Sequence, residues 1–341
     1  MMRLLCALLA VCMTAPVTGE KNGIGRFDCA DGAVTSVTEE RNNIGRFDCA
    51  DGAVTSVTES ENYIRWVDCA ADAASMRSAL ALCRDCHGRG ADVAFSDIIA
   101  YVAYKNGNRF GKKDAAHFRS LSEKLSRGMT VDEAAGNNKY YLYHKEAYAA
   151  VFGPMVGVEE GRTGSSVEIK GRFPLAAGYW YSHYDDFGNS RSYGYKRRHL
   201  GHDIMGSAGT PVVAVEGGTV TEIGWNKYGG WRIGIRSDDG LRYWYYAHLR
   251  RDNPYARGID KGARVTAGQH IGYLGRTGYS ATENTDLKTG ATHLHIGLQL
   301  IFHPSQGKGS KEIWVDLYGI TGFLSAKRVK VPSGLPDRQI L

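Results

Sequence analysis

Two histidines stand two residues apart in the segment THLHIGLQL, which covers residues 292–300. The segment alternates polar and apolar residues as a β-strand does, so the rings of His293 and His295 are expected on one face of one strand. Imidazole binds transition metals and exchanges protons near neutral pH, and such a pair could do either. By itself, however, a His-x-His pair is more typical of two hydrogen-bonded polar residues.

A second group of the same kind lies upstream, in RRHLGHDIMGSAGTP. His199 and Asp203 are four residues apart, which places them on one side of a strand or one turn apart on a helix. Both residue types bind zinc, and a catalytic zinc keeps three protein ligands and a water. The third ligand must come from elsewhere, and His295 is the candidate. His293, and His248 in the segment YWYYAHL, would then be able to reach the same water.

The motifs HLGHD, GTPVVAVEGGTV, YYAHL and HLHIG resemble, in this order, those of the LytM/lysostaphin-type zinc metallopeptidases, which cut peptide bonds in bacterial cell walls. The resemblance implies one Zn²⁺ per chain, bound by His199, Asp203 and His295. It also implies that His248 and His293 are catalytic, without indicating which of them acts as the base. A peptidoglycan peptide is the implied substrate, bound in a long groove of an antiparallel β scaffold.

The resemblance covers roughly residues 195–300 and has one departure from the simplest family pattern. The link ATENTDLKTGA before THLHIG is longer and more polar than expected, and we predict a loop beside the cleft that affects specificity. The aromatic and polar stretch 178–195 is expected to form either a wall of the groove or a packed tyrosine-rich loop.

The remaining histidines of this region have no clear place in the site. His202 has the opposite strand parity to His199 and is expected to be a bystander or to lie behind the ligands. His183, His270 and His303 have no partner at a useful spacing, and we expect ordinary polar residues there.

Length and composition favour a globular chain of about two domains, since 341 residues are ample for one large core. The net charge of +6 favours anionic surroundings such as cell-wall polymers. No basic run is interleaved with aromatic residues, so no nucleic-acid partner is expected. The sequence does not indicate an oligomeric state.

The first 19 residues have the layout of a secretory signal peptide: Arg3, an apolar run over residues 4–13, and then small and turn-forming residues. The run is too short to span a bilayer comfortably, and no other stretch is long and apolar enough. We therefore expect a chain that is secreted or associated with the cell envelope.

The chain after residue 19 divides into four parts by pattern. Residues 20–69 contain a 20-residue repeat, in which IGRFDCADGAVTSVTE occurs twice unchanged, and are predicted to be poorly ordered or loosely attached. Residues 70–160 have apolar side chains at three- and four-residue steps and predict a small helical bundle, which could shield or position the cleft. Residues 161–324 alternate with period two and predict an all-β antiparallel domain. Residues 325–341 form a basic tail, expected to be frayed. The predicted fold class is α+β.

Two alternative functions follow from the sequence. A non-catalytic relative that regulates other cell-wall hydrolases is possible for this family, although all five site positions are intact here. The segment CRDCH matches the form of c-type haem attachment through Cys83, Cys86 and His87, which makes an exported haem protein the least favoured alternative. A disulfide or two free thiols is the preferred interpretation of that segment. Five cysteines remain after the signal segment, and an odd number argues against a complete structural disulfide set.

Overall fold

The computed structural model describes residues 63–162, 164–192, 196–288, 290–307, 309 and 311–332. The predicted signal segment and the two identical repeats, with Cys29 and Cys49, lie outside the described residues.

The helical region forms as its apolar periodicity predicts. In the second helix, for example, Ile98, Ile99 and Val102 are fully buried on one face. The fourth helix begins with a capping box, because Thr130 and Glu133 each accept a hydrogen bond from the other's backbone N–H, at 2.8 and 3.2 Å. The helices are α1 Ala73–Gly88, α2 Phe95–Asn106, α3 Asp114–Ser126, α4 Val131–Ala135 and α5 Lys139–Phe152.

The region that follows consists mainly of short antiparallel strands, which confirms the predicted α+β class. Its elements are β1 Val156–Gly161, β2 Gly164–Ile169, β3 Tyr181–His183, β4 Ser190–Ser192, β5 Lys196–Arg198, β6 His202–Gly206, β7 Pro211–Val213, β8 Gly218–Asn226, β9 Gly230–Arg236, β10 Arg242–Ala247, β11 Arg264–Val265, β12 His270–Tyr273, β13 His293–Leu300, a 3₁₀ turn Pro304–Gln306, β14 Ile313–Val315 and a helix, α6 Tyr318–Leu324.

The main sheet has the strand order β11-β8-β9-β10-β13-β6-β3, and β14 pairs with the far end of β13. The central strand β13 lies between β10 and β6, with His295 directly opposite Ala247 on one side and Asp203 on the other. Its apolar side chains Leu294, Ile296 and Leu298 are fully buried on the opposite face. The strand therefore has one core face and one polar face, as the alternation predicts.

The helices and the sheet share one hydrophobic core. The ring of Phe95 in α2 lies 5.5 Å from that of Phe152 in α5 and 5.6 Å from that of Phe323 in α6. The buried side chain of Arg242 in β10 donates to the carbonyl oxygen of Ala150 in α5 at 2.8 Å. The helical region thus packs against the sheet domain through both apolar and polar contacts.

Two segments predicted to be loose are attached where the structure describes them. In the last repeat, Ile64 is 2% exposed and its carbonyl oxygen accepts from Gln306 Nε2 at 2.8 Å. In the basic tail, Lys327 pairs with Glu168 at 3.2 Å, and the Arg328 guanidinium lies 4.8 Å from the ring centroid of Tyr181. The expectation of a frayed tail is therefore wrong for these residues, because their long side chains find partners on the β domain.

Among the residues that the structure describes, no helix combines the length and the apolar character that crossing a membrane would require.

Candidate active site

Three of the predicted site residues converge on one point above the polar face of the main sheet. His199 Nε2 lies 3.0 Å from Asp203 Oδ1 and 2.9 Å from His295 Nδ1, and His295 Nδ1 lies 3.0 Å from Asp203 Oδ1. These three atoms form a triangle. Asp203 and His295 face each other across the β6–β13 ladder. The even spacing predicted that His199 and Asp203 share one side of a strand or one turn of a helix, but His199 lies in the link between β5 and β6.

The triangle fits a zinc ion. Three such atoms at about 3 Å need a proton or a cation between them, because all three carry lone pairs. Two ligands of a tetrahedral zinc with bonds of about 2.0–2.1 Å lie ~3.3 Å apart, close to the distances found here. Gly201 makes room for this arrangement, since a Cβ there would lie 2.6 Å from Cε1 and Nε2 of His295.

A buried carboxylate that the sequence reasoning missed holds His199 in place. Asp186 is fully buried, and its Oδ2 lies 3.1 Å from His199 Nδ1. Asp186 also accepts from the backbone N–H of Asp203 at 3.4 Å. With Nδ1–H donating to Asp186, the Nε2 lone pair of His199 points at the triangle, which is the usual arrangement behind a metal-binding histidine.

Asp186 also ties the site to two further histidines. His202 Nδ1 lies 3.3 Å from Asp186 Oδ1, and His202 Nε2 lies 2.8 Å from His183 Nδ1. His183 in turn contacts Thr321 Oγ1 of α6 at 3.3 Å. His202 therefore lies behind the three ligand residues, which is one of the two positions predicted for it. Nothing in the sequence indicated this contact of His183, because a contact made across strands leaves no spacing signal.

Arg191 connects the two carboxylates of the site. One of its terminal nitrogens lies 2.8 Å from Asp186 Oδ2 and 3.1 Å from Asp203 Oδ2. The arginine occupies the second oxygen of Asp203 and leaves Oδ1 for the triangle. It also balances part of the negative charge that two buried carboxylates bring together.

The protonation equilibria reflect this network. Burial acts to lower the pKa of His199, but hydrogen bonds with Asp186 and Asp203 outweigh it and raise the pKa to about 9. Burial acts to raise the pKa of Asp186, and the bonds from His199 and His202 bring it down to about 2. Asp203 is likewise held well below its usual pKa, against burial, by His199 and His295. Protons therefore compete with a metal ion for the triangle.

The two histidines predicted to be catalytic lie beside the triangle, with matching hydrogen bonds. His248 Nδ1 lies 2.6 Å from the carbonyl oxygen of Thr277, and His293 Nδ1 lies 2.8 Å from that of Ala291. A carbonyl only accepts, so in both rings Nδ1 carries a proton, and in a neutral ring Nε2 is then the nitrogen with the lone pair. The two rings are 4.7 Å apart, and His293 Nε2 is 3.8 Å from Asp203 Oδ1.

His248 is held in an unusual backbone conformation at the end of β10. Its φ of 59° lies in the left-handed region, where few residues other than glycine are found. Its backbone N–H donates to the carbonyl oxygen of Gly229 at 2.7 Å, which fixes the turn. Burial, and the neighbouring His293 and His295, hold its pKa well below the usual value, so the ring is neutral at pH 7.

A cleft of about 720 Å³ opens over these five residues. Described residues within 191–200, 226–229 and 279–290 form its walls, which confirms that the link ATENTDLKTGA is a loop beside the cleft. Of the stretch 178–195, only Arg191 and Ser192 are described as lining it, whereas Trp180 is 63% exposed elsewhere. No described residue of the helical region lines the cleft. The structure therefore does not support the expectation that this region shields the cleft.

The haem alternative finds no support in the structure. Cys83 and Cys86 lie in α1, with 3% and 0% of their surface exposed, and both are free thiols. Cys83 Sγ donates to the carbonyl oxygen of Val93 at 3.0 Å, and His87 Nε2 lies 3.0 Å from Ser165 Oγ. Two thioether bonds to one haem would require both sulfurs to face a common cavity, but both are packed in the core.

Comparison with known proteins identifies the class of this domain. Residues 197–307 match the model of peptidase family M23. The second half of the chain therefore contains a peptidase family M23 domain, and the resemblance to LytM/lysostaphin-type peptidases is confirmed.

Two curated relatives resemble this part of the chain. An L-Ala–D-Glu endopeptidase from Bacillus subtilis (strain 168) is 41% identical over 126 residues, which are 37% of this chain and 37% of the relative. Glycyl-glycine endopeptidase ALE-1 from Staphylococcus capitis is 40% identical over 99 residues, which are 29% of this chain and 24% of the relative. The match thus spans well under half of either relative.

One solved structure extends the similarity beyond the M23 domain. It is that of a candidate glycyl-glycine endopeptidase, LytM, from Ruminococcus gnavus ATCC 29149, with 28% identity and a TM-score of 0.50. The alignment covers 70% of this chain and 84% of that one. Since residues 161–324 make up less than half of the chain, the similarity also includes part of the region before the β domain.

Proposed function

We propose that the chain is a zinc-dependent endopeptidase that hydrolyses peptide bonds in bacterial peptidoglycan. The observation that carries this proposal is the triangle of His199, Asp203 and His295 at 2.9–3.0 Å, with two further histidines facing it from the same cleft. The M23 match and the endopeptidase relatives support the same activity.

In this proposal His199 Nε2, Asp203 Oδ1 and His295 Nδ1 hold one Zn²⁺. A bound zinc ion lowers the pKa of its water to about 7 and polarises the scissile carbonyl. Asp186 keeps His199 oriented for that ion through the Nδ1 contact at 3.1 Å. Arg191 keeps Asp203 from swinging its second oxygen towards the centre.

His248 and His293 supply the proton transfers. In the neutral form of either ring, Nε2 is the acceptor that faces the cleft, because Nδ1–H is bonded to a backbone carbonyl. One Nε2 can accept a proton from the attacking water, and this proton can then pass to the leaving amine, either from the same ring or through the other one. Both rings have the same type of hydrogen bond at Nδ1, so either ring can fill either role.

We propose that the protein acts outside the cytoplasm, where peptidoglycan is found. The support is the layout of residues 1–19, which is that of a secretory signal segment. Fractionation of cells that express the full chain tests this: the protein should be found in the envelope or the medium, and retention in the cytoplasm would contradict it.

The activity is tested by digesting defined muropeptides with the zinc-loaded full chain and locating the new amino termini by mass spectrometry. We expect cleavage at a single kind of bond, and loss of it in His293→Ala while zinc remains bound. The matched control is His117→Ala, which replaces a histidine of α3 that does not line the cleft. A zinc-loaded chain that cleaves nothing would instead favour the non-catalytic regulator.

A further inference from the structure

The charge on the cleft wall is uneven. The described lining residues with a permanent positive charge are Arg191, Arg197, Arg198 and Lys288. Arg191 is neutralised by Asp186 and Asp203, at 2.8 and 3.1 Å. Apart from Asp203, Asp286 is the one carboxylate among the described lining residues. The wall formed by β5 and the 279–290 loop is therefore positive before any metal ion is added.

Arg197 differs from an ordinary solvated arginine because it is clamped. Its guanidinium carbon lies 5.4 Å from the ring centroid of Tyr228 and 5.0 Å from that of Tyr279. One terminal nitrogen donates to the hydroxyl of Tyr279. The other, Nη1, is buried without a hydrogen-bond partner among the described residues, so a group in the cleft can reach only the remaining N–H groups of the guanidinium. Aromatic faces stabilise a cation but do not cancel its charge. In the described part of the chain, no carboxylate pairs with Arg197.

The position of Arg197 relates it to the reacting bond. The Tyr279 ring that contacts Arg197 also stacks on the His248 ring, with centroids 5.7 Å apart and planes 22° apart. An extended peptide advances about 3.5 Å per residue. Arg197 therefore lies within about three residues of the bond that His248 would act on.

The neighbouring cleft has balanced charges. A second cleft of about 490 Å³ adjoins the first and shares Asn226 and Tyr245 with it. Its described lining contains two arginines and two glutamates, and one arginine, Arg232, is paired with Glu222. A substrate with negative charge on one side of the scissile bond would therefore bind with that side towards Arg197.

We propose that Arg197 is a specificity-determining residue that binds a free carboxylate of the substrate near the scissile bond. The preferred substrate is then an acidic stem peptide rather than an uncharged glycine cross-bridge. The inference rests on the proposed function, which it makes more specific. A charge-assisted hydrogen bond of this kind corresponds to a preference of about 10- to 100-fold.

The test compares two stem peptides that differ in one group, a free α-carboxylate or an α-carboxamide on the acidic residue. With the zinc-loaded full chain, we expect kcat/KM to favour the carboxylate peptide by about 10- to 100-fold. Arg197→Gln should bring this ratio close to one, and Arg197→Lys should keep part of it. The control Arg264→Gln removes an exposed arginine that pairs with Asp238 and does not line the cleft, and it should leave the ratio unchanged.

Equal rates for the two peptides, or faster cleavage of the carboxamide or of pentaglycine, would overturn the proposal. So would an Arg197→Gln variant that slows both peptides by the same factor, because that is the effect of a purely structural role. Affinities of the two peptides are measured in parallel on zinc-loaded His293→Ala, with and without Arg197→Gln. If nothing is cleaved, the endopeptidase proposal fails, and this binding comparison decides the role of Arg197 on its own: a carboxylate preference lost with Arg197 supports it, and equal affinities refute it.

Discussion

The helical region and the β domain each contain a group of side chains of metal-binding types. One group is buried in the core, and the other lines a cleft. Cys83 and Cys86 are neighbours on one face of α1, and both point into the core. His199, Asp203 and His295 come from positions up to 96 residues apart, yet their ligand atoms lie within 3.0 Å of each other at the floor of a cleft.

The difference shows that close spacing along a helix does not by itself create a site. A metal or cofactor site needs lone pairs that converge and a side open to substrate. The two cysteines of α1 have the spacing but meet neither condition. Strands β6 and β13, with the link before β6 that carries His199, meet both.

The largest expected effect comes from removing one of the three side chains that form the triangle. Asp203→Ala should lose zinc, from about one ion per chain to nearly none, and lower kcat/KM by at least about 10³-fold. Metal analysis and muropeptide cleavage measure the two effects. Cys83→Ala, in the cysteine pair of α1, is the matched control and should keep both zinc and activity. Loss of zinc in that variant would contradict the difference between the two regions.

A second prediction concerns the core that both regions share. Phe95→Ala removes a buried ring that contacts both α5 and α6, and should lower the free energy of unfolding by about 3–5 kcal/mol. Because the core is continuous, far-UV circular dichroism and tryptophan fluorescence should report one common, shifted transition. Two separate transitions, with only one of them shifted, would mean that the regions unfold independently.

The buried carboxylate behind the ligands should have a smaller effect. Asp186→Asn keeps the shape but weakens the hold on His199 Nδ1, and should reduce zinc affinity by about 10- to 100-fold. Competition with a chelator of known affinity measures this without relying on activity. Asp85→Asn, in the CRDCH segment, is the control. If Asp186→Asn binds zinc as tightly as the unaltered chain does, Asp186 does not contribute to zinc binding.

The smallest expected effect is the pH dependence caused by a histidine of the helical region. Burial lowers the pKa of His144 to about 4, and its buried Nδ1 has no hydrogen-bond partner among the residues that the structure describes. Between pH 6.5 and 4 the unfolded chain binds a proton that the folded chain does not, so this residue lowers stability as the pH falls. His144→Phe should make the unfolding free energy less sensitive to acid by roughly 2 kcal/mol over this range. Equal pH slopes for the two proteins would contradict this account.

Much of the fold could be predicted from periodicity. Alternation around His293 and His295 placed both rings on one strand face, and β13 has this geometry with its apolar residues on the other side. Helical periodicity was equally visible, because its signal lies within a few residues along the chain.

The network behind the ligands was not predictable, because its contacts are made between distant segments. Asp186 follows another aspartate in YDDFG, and nothing local separates the buried member of that pair from its exposed neighbour. His199 and Asp203 do lie close together, but not through strand parity, because His199 reaches the triangle from the link that contains Gly201. The clamp on Arg197 depends on tyrosines 31 and 82 residues away, beyond the reach of any local pattern.

The central claim is that the His199–Asp203–His295 triangle binds the zinc ion that peptide hydrolysis requires. The most direct test is to strip the full chain of metal and follow cleavage of a defined muropeptide as zinc is added back. The account predicts no cleavage in the metal-free protein and activity that reaches its maximum at about one zinc per chain. Cleavage by the metal-free protein, or none after one zinc has bound, would contradict it.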